Sequence, residues 1–263
     1  MDKAVDTPTT ATLAVRSLGV RAGTRDLVAE MSIEFQPGQV TAILGRNGCG
    51  KTLTMHTLAG LRRPQQGLVR LDGIPLDQLR RRHIAQRLGV LMQDLEESFT
   101  TTALEAVLIG RHPHLSPWRW ESAEDERLAL EALRRVEMDE LATRSTELLS
   151  GGERRRVAIA SLLAQSPQIY LLDEPTNHLD PHHQIAVLEL FRAQANAGRT
   201  VIATLHDPTL AARFADRVVL LFGDGRWIEG PARATLTAAS LSELYLTPML
   251  EIGAENRRVF VSA

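Results

Sequence analysis

The sequence predicts an α/β fold built on a mostly parallel sheet covered on both faces. Three short apolar runs predict it, QVTAIL (39–44), QIYLLDEP (168–175) and TVIATLHD (200–207), each leading into helix-like sequence. Strands that alternate with helices are joined by crossovers and so run the same way. The first run is β-rich, preceded by Pro-Gly and followed by glycine, the punctuation of a buried strand. KTLTMHTLAGL (51–61) continues it as a helix whose pattern ends at Gly60 and Pro64. The stretch before the second run differs. ESAEDERLALEALRRVEMDELATR (121–144) has Ser122 and Asp125 at capping-box spacing and Ala129, Ala132, Leu133 and Val136 on one helical face. A helical lobe is therefore expected over about 93–164, with hinges near Gln93 and at Ser166-Pro167. There is no internal repeat, and the opening dozen residues and the last few are expected to be loose.

Length and composition narrow the function classes. A chain of 263 residues with 44% apolar and 24% charged residues can bury a full core and is expected to form one domain with a sub-lobe. Its formal charge of −2 gives no bulk attraction to nucleic acid or anionic lipid. No nucleic-acid partner is expected, and any phosphate chemistry has to come from local placement. The arginines of LRRRHIAQR (79–87) read accordingly as a solvated helix face. A single cysteine forbids an internal disulfide and fits a reducing compartment. MDKAVDTPTTAT (1–12) lacks the basic and apolar regions of a secretory signal, and no run approaches the ~18 apolar residues of a spanning helix. The chain is expected to stay in the cytosol.

GRNGCGKT (45–52) stands between the first strand and the first helix, the setting a phosphate-binding loop requires. Gly45, Gly48 and Gly50, with Arg46, Asn47 and Cys49 between them, let backbone N–H groups turn toward a polyphosphate. Lys51 supplies a point charge for the outer phosphates, and Thr52 a hydroxyl for Mg²⁺. IYLLDE (169–174) ends in two carboxylates: Asp173 can hold the magnesium shell, and Glu174 can orient or deprotonate a water attacking the terminal phosphate. His206 ends the third strand, where its imidazole can contact the outermost phosphate. LLSGGERRR (148–156) raises a different question, because Arg154, Arg155 and Arg156 stand where a helix begins and its end already carries partial positive charge. An anion or an acidic surface is expected close to that turn.

Together these stretches resemble one family, the ATPase subunits of ABC transporters. GRNGCGKT is similar to the Walker A loop, Gln93 in VLMQD to the Q-loop, and LSGGE (with Ser150, Gly151, Gly152 and Glu153) to the signature. IYLLDE is similar to Walker B, NHLD with Asp180 to the D-loop, and His206 to the switch histidine. The resemblance implies a RecA-like P-loop NTPase core over about 12–92 and 165–240, with an amino-terminal antiparallel β portion. It implies an inserted α-helical subdomain over about 93–164 and a carboxy-terminal extension over 241–263. It implies ATP hydrolysis, with Mg²⁺ at Thr52, Gln93 and Asp173, Glu174 as catalytic base and His206 beside the terminal phosphate. It also implies a head-to-tail dimer, in which Ser150, Gly151 and Gly152 of one copy meet the phosphate held by Lys51 of the other and Asp180 lines the interface. The anion near the arginines then belongs to the neighbouring copy, and the arginines add local field, meet acidic partners or form a solvated face.

LIGRHPHLSPW (108–118) and NHLDPHHQ (177–184) resemble the branch serving cobalamin, ferric-siderophore and haem importers. There the ATPase is a separate chain, peripheral on the cytoplasmic face of the inner membrane. Two copies work on membrane permease subunits supplied by a substrate-binding protein, and Gln93 couples nucleotide to the helical lobe. Trp118 and Trp120 either meet the permease or pack within the lobe. Against the family pattern, the aromatic that stacks on adenine is expected near Ala22 in GVRAGTRDL (19–27), and none is there. Stacking is worth ~1–3 kcal/mol per base in nucleic-acid complexes, so either Arg21 or Arg25 stacks instead or the base is loosely held. Cys49, near a helix amino end, is either a thiol of lowered pKa or simply a small residue that a tight loop accepts. The competing function is a soluble ABC ATPase outside transport, such as one serving iron–sulfur assembly. DNA-repair members insert long coiled coils between Walker A and signature, whereas fewer than a hundred residues lie between Thr52 and Ser150 here. A small-molecule kinase would leave LSGGE without a role.

Overall fold

The computed structural model describes residues 11–93, 101–116, 120–254 and 257–263. The described chain opens with an antiparallel hairpin of β1 (Leu13–Ala22) and β2 (Arg25–Phe35), and β3 (Val40–Leu44) then leads through the glycine-rich loop into α1 (Lys51–Leu58). That helix ends where the sequence breaks its pattern, with Gly60 in left-handed backbone at φ 67°. β4 (Gln66–Leu71) returns antiparallel to β1, and the two-residue β5 (Ile74–Pro75) completes a sheet of order β2-β1-β4-β5. α2 (Arg81–Arg87) and β6 (Leu88–Leu91) precede three α-helices, α3 (Ala103–Leu108), α4 (Ala123–Arg134) and α5 (Gly151–Gln165). Then follow β7 (Ile169–Leu172), α6 (Pro181–Asn196), β8 (Thr200–Thr204), α7 (Pro208–Phe214) and β9 (Arg217–Leu221). The chain ends with β10 (Trp227–Pro231), α8 (Ala232–Thr235), α9 (Ala238–Tyr245) and the hairpin of β11 (Met249–Ala254) and β12 (Arg257–Ser262).

The central sheet has the order β10-β9-β3-β8-β7-β6, parallel throughout except for the antiparallel edge strand β10. Every residue of β3, β7 and β8 is buried, as strands covered on both faces require. Successive side chains point to opposite faces. Ile43, Leu171 and Ile202 therefore pack with Phe35, Met55 and Leu58 under the antiparallel sheet and α1. Tyr170, Leu172 and Val201 pack instead with Ile159, Leu163 and Phe191 of α5 and α6. Among the described residues, no helix is long and apolar enough to cross a membrane.

The capping box of α4 forms as its spacing predicts. The Ser122 backbone N–H donates to Asp125 Oδ2 (3.0 Å), and Asp125 N–H donates back to Ser122 Oγ (3.3 Å). The bonds from Ser122, with Arg111 Nε at 2.9 Å from Asp125 Oδ1, hold the carboxyl down at about 2. Ala129, Ala132, Leu133 and Val136 are buried. Trp120 is 90% exposed, so packing within the lobe is not its role; Trp118 lies outside the described residues. The arginines around α2 form a solvated face as expected, with Arg80, Arg81 and Arg82 exposed, while Arg81 also donates to the Gly60 carbonyl (2.6 Å) and Arg82 to that of Pro113 (3.0 Å). The expectation of loose ends fails where it can be checked. Thr12 N–H donates to Asp72 Oδ1 (2.9 Å), and β12 pairs with β11 while Phe260 is buried against α7 to α9. Residues 1–10 lie outside the described part.

Candidate active site

The sequence-predicted residues converge because β3, β8, β7 and β6 are parallel neighbours, so their exits lie along one edge. That edge, outside the carboxyl ends of the strands, is where α/β sheets bind ligands. β3 delivers the glycine-rich loop, β6 Gln93, β7 Asp173 and Glu174, and β8 His206. A cleft of about 370 Å³ opens there, with Asn47, Gly48, Lys51, Thr52, Gln93 and Glu174 on its wall. The loop needs its glycines for two separate reasons. Gly50 has φ 103°, and a Cβ on Gly45 would stand 2.4 Å from Cys49 Sγ and 2.6 Å from the Leu221 carbonyl oxygen. Lys51 is nearly buried, its Nζ donating to the carbonyls of Gly45 (2.9 Å) and Arg46 (3.4 Å). Arg46 is half-buried and Asn47 exposed on the outer turn.

The two acids are held differently. Asp173 Oδ1 accepts from the Thr204 hydroxyl (2.6 Å), and Oδ2 is buried with no hydrogen-bond partner. Glu174 adopts left-handed backbone at φ 49°, which costs a non-glycine residue ~1–2 kcal/mol. Its N–H donates to Thr204 Oγ (2.8 Å) and its carbonyl accepts from Arg155 (2.8 Å). Its Oε1 lies 2.5 Å from His206 Nε2, while Oε2 accepts from the Asn177 side-chain amide. Thr52 Oγ donates to Gln93 Oε1 (3.2 Å), joining the helix start to the exit of β6. Thr52 and Gln93 bring oxygens to the cleft wall, and the partnerless, buried Oδ2 of Asp173 at the exit of β7 adds one carboxylate to a hard-oxygen donor set. This suits Mg²⁺, which is usually bound through one or two carboxylates with substrate phosphates completing the shell. Among the described residues there is no cluster of three or more His, Cys, Asp or Glu that would hold a metal by itself.

The signature turn lies elsewhere. Ser150 caps α5 in a reciprocal box with Glu153, whose carboxyl that contact lowers; Ser150 and Gly151 are exposed, and Gly152 packs on the His178 carbonyl. Asp180, also exposed, caps α6 through His183 N–H (2.9 Å). The positive charge of Arg156 acts on the Glu153 carboxyl that caps the same turn, and the arginine side chains also reach backbone carbonyls. Arg154 donates to the Leu149 carbonyl (2.6 Å), Arg156 to those of Val136 (3.1 Å) and Glu137 (3.2 Å), and Arg155 is buried among carbonyls at the exits of β6 and β7. Carbonyl dipoles meet these cations, so the opposing helix end is tolerated locally.

Three more outcomes concern residues singled out from, or missed in, the sequence. Burial raises the Cys49 thiol above its usual value, and the positive charge of Lys51 only partly offsets it. At 3% exposure and with its pKa raised, the thiol is expected to react slowly, and the reading of a lowered pKa is corrected. On the side expected for a base, the cleft wall is Ala22 and Leu27. Arg21 Nε is engaged by Asp26 Oδ1 at 2.6 Å, and neither Arg21 nor Arg25 lines the cleft. Thr204 escaped the sequence reading, as did the contacts of Asn177 and Arg155, and two of the three left a trace. Thr204 is a hydroxyl inside an apolar run, and Arg155 shares the 155, 159, 162, 163 helical spacing with Ile159, Leu162 and Leu163.

Comparison with known proteins agrees with this geometry. The ABC transporter family profile matches residues 28–177. The chain is 42% identical over 236 residues to the hemin import ATP-binding protein HmuV of Myxococcus xanthus, covering 87% of each. It is 36% identical over 234 residues to the iron(3+)-hydroxamate import ATP-binding protein FhuC of Bacillus subtilis, covering 89% of this chain and 87% of that protein. Among solved structures, a chain of an ABC transporter assigned to the metal-chelate type, in an inward-facing conformation, superposes with a TM-score of 0.84 at 29% identity, covering 97% of this chain and 98% of the other. A dimeric ATP-binding cassette in a post-hydrolysis state, bound to ADP and Pi, superposes with a TM-score of 0.73 at 26% identity, covering 84% and 99%. A profile over more than half of the chain and relatives of 36–42% identity over nearly its whole length lead to one conclusion: the chain belongs to the ABC transporter family, as one of its ATP-binding, ATP-hydrolysing subunits.

Proposed function

We propose that this subunit powers import of a ferric chelate, hemin or siderophore-bound iron, as a head-to-tail pair docked on a separate membrane permease at the cytoplasmic face. The observation that carries the pairing is the position of the signature. Ser150 and Gly151 are exposed and stand outside the cleft lined by Lys51 and Glu174, so a second copy is what would bring them to a phosphate. Asp180, exposed and two residues beyond the His178 on which Gly152 packs, would line the same interface. The names of the relatives support the iron-bearing chelates, while cobalamin rests on loop resemblance alone. A substrate-binding protein would deliver the chelate to the permease and not to this chain.

Within each cleft, the loop N–H groups of residues 45–50 and Lys51 would bind the phosphates of ATP. Thr52, Gln93 and Asp173 would hold Mg²⁺, which when bound neutralises charge on the outer phosphates. Glu174 would take the proton of the attacking water, and His206 would steady the terminal phosphate from the neighbouring strand. For that, the carboxylate has to give up at least one of its contacts to His206 and Asn177. ATP between two copies would favour a closed pair and its hydrolysis the open one, a two-state motion passed on through residues 93–164. With Ala22 and Leu27 where a stacking ring would be, the base is loosely held. GTP should be hydrolysed within about tenfold of ATP, and Ala22→Tyr should tighten binding of both by about tenfold, since stacking contributes ~1–3 kcal/mol. A GTP rate lower by several orders of magnitude would refute the loose-base reading.

The test of function is uptake. The purified chain, reconstituted with its permease and binding protein in vesicles, should drive ATP-dependent entry of hemin or a ferric hydroxamate. ATP hydrolysis that moves neither of these, under conditions where the complex is intact, would remove the transport assignment.

A further inference from the structure

Arg155 is among the largest fully buried side chains of the protein, at 2% exposure. Its helical spacing with Ile159 and Leu162 turns it inward from α5, and its head lies at the exits of two paired strands, β6 and β7. Nη1 donates to the carbonyls of Met92 (2.5 Å) and Gln93 (3.5 Å). Nη2 donates to those of Asp173 (2.6 Å) and Glu174 (2.8 Å), and Nε reaches that of Pro175 (3.5 Å). Beyond Leu91 and Leu172 the two strands no longer pair, so these carbonyls need donors from outside the ladder. A guanidinium offers five N–H groups in one rigid plane and can reach carbonyls on two strand exits at once, where an ammonium offers three donors from a single point.

We propose that Arg155 is a positioning residue for ATP hydrolysis. By fixing the carbonyls of the peptides that carry Gln93 and Glu174, it sets the spacing of those two side chains across the cleft and ties both to the signature helix of the same subunit. Glu174 needs this most. It sits in left-handed backbone just past β7, and its carbonyl accepts from Arg155 (2.8 Å) as well as from the Asn177 backbone N–H (3.1 Å). The proposal rests on Glu174 acting as the base, and acts through it.

The test uses the full chain, with phosphate release for kcat and KM and equilibrium binding of a fluorescent ATP analogue for affinity. Arg155→Met keeps the length and apolar bulk of the stem, and Arg155→Lys keeps a cation without the fork. Both should lower kcat by about 10- to 100-fold, the scale of a small misplacement of reacting groups, with affinity within about threefold of wild type. Added to Glu174→Gln, Arg155→Met should lower turnover by no more than about a further threefold, because the two act as one unit. Wild-type kcat in either folded variant would overturn the proposal. So would equal losses in kcat and affinity, or a multiplicative loss in the double variant, since a general structural role produces those. If Arg155→Met does not fold, Arg155→Lys carries the measurement. Full turnover by Glu174→Gln alone would instead overturn the base assignment, a failure separable from any result at Arg155.

Discussion

Replacing Glu174 with glutamine is expected to lower ATP turnover by about 10²- to 10⁴-fold, the range a positioned proton acceptor supplies, while nucleotide remains bound. The structure makes this a clean substitution. Glutamine has the same shape, its oxygen can still accept from His206 Nε2, and Asn177 can turn its own amide to accept from the new NH₂. The backbone at φ 49° is undisturbed, because its N–H and carbonyl are held by Thr204 and Arg155 and not by the side chain. Only proton acceptance disappears. The melting temperature should accordingly change little, and, in the proposed pair, ATP should accumulate between two copies and show as a dimer in size-exclusion chromatography. Turnover within about threefold of wild type would leave the base to be sought elsewhere.

How much of this was legible in the sequence depends on how local the deciding physics is. The strand exits that carry Asp173, Glu174 and His206 could be read because buried parallel strands are short unbroken apolar runs, and each of these residues stands within two positions of one, whereas Gln93 was reached only through the family resemblance. The α4 cap could be read because Ser122 and Asp125 decide it between themselves. Arg155 could not, since what buries it is a set of carbonyls from about 20 to 60 residues away that only the folded sheet brings together. The carboxy-terminal hairpin was missed for a similar reason: β12 is ordered by β11 and by Phe260 lodging against α7 to α9, contacts its own composition does not announce. Cys49 shows a contest of two effects. Proximity to a helix start and to Lys51 argues for a lowered pKa, but burial at 3% exposure is larger, and only the packed structure gives that magnitude.

Cys49 also supplies an internal readout for the second large effect, Lys51→Met. Losing the ammonium should weaken ATP binding by about 30-fold or more, because truncating one partner of a hydrogen-bonded charge pair costs ~2–5 kcal/mol and each 1.4 kcal/mol is tenfold. Adenosine, which lacks phosphates, should bind as before. A competing explanation is that the loop itself collapses, since Lys51 Nζ also donates to the Gly45 and Arg46 carbonyls. The buried thiol separates the two. The positive charge of Lys51 lowers the Cys49 pKa against the larger effect of burial, so removing it leaves burial unopposed and raises the pKa further. The thiolate fraction at pH 8 then falls, and maleimide should react with Lys51→Met even more slowly than with wild type. Slower labelling together with lost ATP affinity assigns the loss to charge in an intact loop. Faster labelling would mean that the loop has opened, and unchanged ATP affinity would remove Lys51 from the phosphate site altogether.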